Sequence, residues 1–217
     1  VIIGSGFIGL EFAATYAQFG TKVTVIDVID AFLPREDEDV AQAVKEQLEA
    51  LGVTFNLGVQ LKAVHQEGGK AVVEATTGEG APVAFTTDAV LVATGRRANV
   101  QGLDLDKAGV ELTERGAIKV NEFLQTNVPH IFAMGDVNGG PQFTFVSLDD
   151  FRIVKRFLAG DTTYSTKQRA KFPTATFITP PLASVGLNEK QAKEAGIEVK
   201  VAKLPAMAIP KAKILGN

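Results

Sequence analysis

The sequence predicts an α/β protein. It reads as the first half of a doubly wound parallel sheet, with an antiparallel β-meander inserted and an α+β stretch at the end. Three observations carry that prediction. Short apolar runs alternate with helical periodicity over the first 57 residues. Three strand-like runs between 60 and 86 are parted by glycine-containing turns. After the polar stretch Asp161–Lys171 the composition shifts again, to short β-rich runs and one well-capped helix.

Val1–Ile3 is a short apolar strand leading into Gly4. Residues 7–19 place Ile8, Phe12, Thr15/Tyr16 and Phe19 at helical spacing, and Gly20 closes the helix. Lys22–Asp27 is a β-branched strand, and 36–51 is a second helix. That helix opens with Glu36, Asp37, Glu38 and Asp39, complementing the helix dipole, and carries Val40, Val44, Leu48 and Leu51 before Gly52. Val53–Leu57 is a third strand, completing β-α-β-α-β. Gln60–Gln66, Lys70–Thr77 and Pro82–Thr86 form the meander around Gly68-Gly69 and Gly78-Glu79-Gly80. Ala89–Ala93, wholly apolar, predicts a strand buried in a sheet. Ile131–Ala133 predicts another, running into Gly135-Asp136, with a helix from about Phe143 to Leu158. Ala175–Ile178 and Ala183–Val185 read as strands, and Glu189–Ala195 as a helix with Asn188 and Gln191 at capping-box positions and Gly196 after it. Lys211–Asn217 alternates like a strand, through Ala212 and Ile214.

Composition excludes several function classes. Lys+Arg 22 against Asp+Glu 25 gives a net charge of −3, too balanced for electrostatic attraction to nucleic acid or an anionic membrane. A hydrophobic content of 46% with 22% charged residues is that of a globular domain. The longest apolar run, Ala89–Ala93, falls far short of the ~20 residues that span a bilayer. Cys is 0 and His is 2, which leaves no cysteine nucleophile, thiolate site or His-rich metal site to propose. The chain begins at Val1 three residues before a glycine turn, where a strand of ~5–6 residues is usual. It also stops after a strand-like stretch, so a fragment of a longer protein is expected.

Residues 4–9, GSGFIG, fit G-x-G-x-x-G. Gly4 permits the tight strand-to-helix turn, Gly6 lets a pyrophosphate approach the backbone, and Gly9 lets helix and strand pack closely. The positive end of the helix and its free N–H groups then face the phosphates. Asp27 follows Gly4 by 23 residues at the end of the second strand, close to the ~20 expected for an acid that accepts the adenine-ribose hydroxyls. Such an acid would repel a 2′-phosphate, so NAD is favoured over NADP.

The run VIIGSGFIGLEFAATYAQFGTKVTVID resembles the NAD(P)H-binding domain of the flavoprotein pyridine nucleotide-disulfide oxidoreductases, a family that includes dihydrolipoyl dehydrogenase, glutathione reductase and mercuric reductase. AVLVATGRRAN (89–99) is similar to the family's ATGR segment, TNVPHIFAMGD (126–136) to its second FAD fingerprint, and PTATFITPPLASVGLNE (173–189) to the start of its interface domain. The resemblance implies a Rossmann-like NAD-binding domain at 1–97, the C-terminal part of an FAD-binding domain at 98–165, and a truncated dimerisation domain from 166 to 217. It implies that Gly4, Gly6, Phe7, Gly9, Asp27 and Gly95 serve the dinucleotide side, and Gly135 and Asp136 the flavin side. Asp136 takes the position of the acid that bonds the flavin ribityl chain, and the helix after it would aim its N-terminus, near Gln142–Thr144, at the pyrimidine edge. Phe7 stands at the aromatic lid. Glu11 matches an acid that pairs with a lysine outside this sequence. Arg96 and Arg97 either contact the dinucleotide or bridge two domains. The positions where NADPH-using members carry arginines hold Val28 and Pro34, with Arg35 the nearest cation.

The sequence also departs from the family. Ala98 replaces a usual proline, Pro181 a usual acid or amide, and GGPQFTFVSLDDFRIV a helix of smaller residues. These departures resemble a mercuric-reductase-like branch that includes the bacterial reactive-chlorine-resistance flavoproteins. The family's redox cysteines and catalytic His-Glu pair find no match in this sequence, so no catalytic residue is assigned beyond the accessory Phe7 and Glu11. The resemblance implies a cytoplasmic, homodimeric parent that passes hydride from NADH through FAD to a redox disulfide, and on to a small-molecule or protein disulfide or another electron acceptor. Two alternatives stand beside it: an NADH oxidase or quinone reductase on the same fold without a redox disulfide, and an inactive NAD-binding fragment.

Overall fold

In a computed structural model the chain is described over residues 1–215 and divides into two units. Unit 1 joins Val1–Gly95 to the stretch that begins at Phe172; unit 2 is Arg96–Lys171.

Unit 1 is built on a parallel sheet of β1 (Ile2–Ile3), β2 (Thr24–Ile26), β3 (Thr54–Asn56) and β7 (Leu91–Val92), in the order β3-β2-β1-β7. Ile2 pairs with Val25 on one side and Leu91 on the other. That order, with helices α1 (Phe7–Gln18) and α2 (Glu38–Ala50) as crossovers, is the doubly wound half that the sequence predicts. β4 (Gln60–Glu67), β5 (Lys70–Thr76) and β6 (Pro82–Thr87) form the antiparallel meander. The core on one side of the parallel sheet gathers Leu10, Ala13, Ala14, Val25, Val44, Leu48 and Ile178. Ile3, Ile26, Val59, Val73 and Ala75 make a second cluster, shared with the meander.

Two details of unit 1 differ from expectation. The apolar stripe Ile8, Phe12, Tyr16 and Phe19 faces outward on α1; Gly9, Leu10, Ala13 and Ala14 are the buried face. A helix this close to its sheet must pack with small side chains. Ala89–Ala93 is not a buried strand: β7 is two residues long, ends the sheet order, and leaves Val92 68% exposed.

The later stretch of unit 1 carries the short hairpin β8 (Thr174–Thr176) and β9 (Leu182–Ser184), then α4 (Glu189–Glu194). The capping box of Asn188 and Gln191 is present as predicted. Asn188 also donates to the Arg35 carbonyl (2.7 Å), and Asp37 accepts the N–H groups of Glu189 and Lys190 (2.9 and 3.1 Å). The strand expected from Lys211 is instead a helical turn, α5 (Pro210–Leu215); Gly216 and Asn217 lie outside the described residues.

Unit 2 holds a 3₁₀ turn at Gly135–Asn138 and one helix, α3 (Thr144–Leu158). The predicted strand Ile131–Ala133 reduces to a single bridge between Gln125 and Phe132. Val110, Ile118 and Ala133 form one small core, and Leu124, Ile153 and Val154 another.

Candidate functional site: a glycine turn and its acid

The Gly4–Gly9 turn leads from β1 into α1. Gly4 has φ +111°, and its N–H donates to the Ile26 carbonyl (2.8 Å). A Cβ at Gly4 would lie 2.5 Å from the Ala93 carbonyl oxygen, and one at Gly9 would lie 2.0 Å from the Gly4 oxygen. Both glycines are demanded by close backbone approach. Gly6 is different. It caps α1 with φ −69°, and among the described residues no heavy atom beyond its chain neighbours lies within 4 Å of where its Cβ would stand. Glycine there protects space outside the chain, next to a helix end whose first N–H groups have no partner within the helix. These residues fit a bound pyrophosphate.

Asp27 follows β2 directly. Its Oδ2 accepts from the Ser5 N–H (2.6 Å) and the Ser5 hydroxyl (2.7 Å), and its Oδ1 from the Ile29 N–H (3.0 Å). Of roughly four acceptor positions on a carboxylate, three are taken by the chain itself. The glycine turn and the acid are thus one rigid object, clasped by buried Ser5. Sequence reasoning missed Ser5, which stands at a free position of the fingerprint.

Phe7, the first residue of α1, is 41% exposed. Glu11 is held through Oε1 by the Phe177 N–H (2.9 Å). Gly95 follows β7 at φ +119°.

In unit 2, Gly135 is buried at φ +73°, with the Ser147 hydroxyl 2.8 Å from where a Cβ would stand. The next residue, Asp136, keeps its carboxylate about half exposed. Arg96 pairs with it (3.2 Å) and donates to the Gln142 carbonyl (3.0 Å), so that one guanidinium ties Asp136 to the entrance of α3. A half-exposed carboxylate on a glycine turn is suited to accept hydroxyl donors such as those of a flavin ribityl chain.

Behind that turn lies a cluster that sequence reasoning missed. Asp150, 2% exposed, accepts the Gly135 N–H (2.8 Å) and the Asn138 amide (3.1 Å) on Oδ2, and Arg169 on Oδ1. Arg169 also pairs through Nε with Asp149 (2.7 Å), which accepts the Tyr164 hydroxyl (2.9 Å). Burial opposes the Arg169 charge, but the bonds to Asp149 and Asp150 outweigh it and hold its pKa above the ordinary value. Burial, then the Asp149 carboxylate, pushes the Tyr164 phenol up. A signal was present: Asp150 falls at helical spacing with Val146, Ile153 and Val154, the buried side of α3. An acid on a core face is expected only where it is paired.

Residues 1–150 match the sequence profile of the pyridine nucleotide-disulphide oxidoreductases, and residues 172–217 match that of their dimerisation domain. The chain belongs to this family. It is 42% identical over 216 residues to the probable pyridine nucleotide-disulfide oxidoreductase RclA of Escherichia coli, a match that covers 100% of this chain and 48% of that protein. It is 38% identical over 217 residues to dihydrolipoyl dehydrogenase of Mycobacterium tuberculosis, covering 100% of this chain and 47% of that one. The fold is similar to the solved structure of the HOCl-induced flavoprotein disulfide reductase RclA from E. coli, with a TM-score of 0.92 at 40% identity over 100% of this chain and 48% of that chain. The chain therefore spans about half the length of the relatives it matches.

Proposed function

We propose that this chain is part of a homodimeric, cytoplasmic flavoenzyme that takes hydride from NADH and passes electrons through FAD to a redox disulfide and on to a substrate. In this reading residues 1–97 bind NAD, 98–165 complete an FAD site and 166–217 begin the dimerisation domain. The observation that carries it is the pairing of the open Gly6 position with the fixed Asp27 carboxylate in one βαβ unit. Membership of a family of flavoprotein disulfide oxidoreductases supports the remainder.

The cofactors supply the hydride and electron chemistry, and the protein supplies binding and orientation. The first turn of α1 offers N–H donors and a positive helix end to a pyrophosphate. Asp27 retains an outward acceptor position for an adenine-ribose hydroxyl. Phe7 would serve as the aromatic lid over the flavin that swings aside for nicotinamide, and Gly95 takes the chain out of the NAD-binding sheet. Asp136 accepts from the ribityl chain.

The reading favours NADH. A 2′-phosphate set ~4 Å from Asp27 would meet about 4 kcal/mol of repulsion per unit charge pair at an effective dielectric near 20. Val28, 63% exposed, and Pro34 offer no cation to offset it. Isothermal titration of the intact protein with NADH and NADPH tests this. NADH should bind more tightly, and Asp27→Ala should erase most of the difference. Equal or tighter NADPH binding would overturn the assignment.

A further inference from the structure

Asp150 is buried, charged and 15 residues along the chain from Gly135, yet its Oδ2 is bonded to that glycine's N–H. The same oxygen takes Asn138, at the far end of the 3₁₀ turn. One carboxylate oxygen therefore grips both ends of the four-residue turn that presents Asp136. Oδ1 is turned the other way, into Arg169. Arg169 is shared with Asp149, and its side chain is only 13% exposed. A lone buried carboxylate would be costly; the arginine makes this one tolerable.

The grip is specific in direction. Gly135 holds φ +73°, and a Cβ there would lie 2.8 Å from the Ser147 hydroxyl, so the turn at this point takes a conformation and a space that suit glycine. The Asp136 carboxylate pairs instead with Arg96, on the exposed side. Asp150 thus fixes the backbone of the turn and leaves the working carboxylate outside.

We propose that Asp150, its charge held by Arg169, is a positioning residue that sets the Asp136 carboxylate for the flavin ribityl chain. This rests on the reading of Asp136 as a flavin contact. An anchor that acts only through Asp136 must lose its effect on flavin once Asp136 is gone; a residue that merely stabilises the fold need not.

The test is a double-mutant cycle in the full-length protein, stripped of flavin and titrated with FAD by fluorescence quenching. Asp136→Ala is expected to raise the FAD dissociation constant roughly tenfold or more, the loss of about one charge-assisted hydrogen bond. Asp150→Ala should raise it to a similar extent. The double variant should be no worse than Asp136→Ala alone. If Asp150→Ala fails to fold, Asp150→Ser, too short to reach the Gly135 N–H but still polar, enters the same cycle. Effects that multiply in the double variant, or no effect of the Asp150 replacement, would overturn the proposal. If Asp136→Ala itself leaves FAD affinity unchanged, the flavin reading of Asp136 fails, and the positioning role falls with it.

Discussion

Gly6→Ala separates nucleotide binding from folding. On the folding side two small effects oppose each other. Gly6 has φ −69°, which alanine adopts freely, and beyond its chain neighbours its Cβ would meet no described atom within 4 Å. Removing glycine's freedom in the unfolded chain then stabilises by about 0.4–1 kcal/mol. Alanine is a poorer N-cap than glycine, which costs about 0.5–1 kcal/mol. The net change in stability is close to zero. On the binding side the methyl group enters the space against the first turn of α1, where a pyrophosphate would accept backbone N–H groups. Pushing a phosphate oxygen off one such donor loses a charge-assisted bond worth about 1.5–3 kcal/mol. That corresponds to a roughly tenfold to hundredfold rise in the NADH dissociation constant. Thermal unfolding and calorimetric titration of the same preparation measure the two quantities together. Unchanged NADH affinity in a variant of unchanged stability would refute the argument, because the open space at Gly6 would then serve no ligand.

Gly9→Ala should do the reverse, since its Cβ would lie 2.0 Å from the Gly4 oxygen, a backbone atom. Overpacking of this kind costs about 1–3 kcal/mol and shows as a drop of several degrees in Tm. Asp27→Ala should weaken NADH binding roughly tenfold to a hundredfold through loss of a hydroxyl acceptor. Calorimetric titration with NADH, in the presence and absence of NADPH as competitor, checks it. The Tyr164 phenol, raised by burial and by Asp149, should ionise later than an ordinary tyrosine when absorbance at 295 nm is followed against pH. A raised folded-state pKa contributes stability that is fully present below the unfolded value near 10 and lost as pH climbs through the raised one. Tyr164→Phe should remove both the late absorbance step and that alkaline loss.

The doubly wound half was legible because each of its signals is local. The Gly4–Gly9 spacing and the acidic start of α2 depend on neighbours within a few residues, as does the Asn188–Gln191 box of the later stretch. Other features depended on partners far away in sequence. α1 offers two stripes at helical spacing, and periodicity cannot say which one faces the sheet. The backbone contact of Gly9 with Gly4 decides it, and places the small stripe inward. Ala89–Ala93 is apolar enough for a central strand, but its place in the sheet order is a matter of topology. The acids at 149 and 150 resemble a solvated pair until Arg169, from the polar stretch, is brought beneath them. Their meaning lies in a contact about twenty residues away, which no window of helical length contains.

The first unit is discontinuous in sequence, and that has a consequence for the order of events during synthesis. Ile178 belongs to the same buried cluster as Leu10, Val25 and Leu48, and the Phe177 N–H closes on Glu11. A ribosome that has finished Gly95 has therefore made the sheet and both crossover helices, but not the side chain that completes their core. All of unit 2 must be translated first, which at ~5–20 residues per second is a wait on the order of ten seconds. During that interval the nascent sheet carries an unfilled apolar site next to α1 and α2. Unit 2, by contrast, is one contiguous stretch of this sequence, Arg96–Lys171, and its described contacts span no such gap.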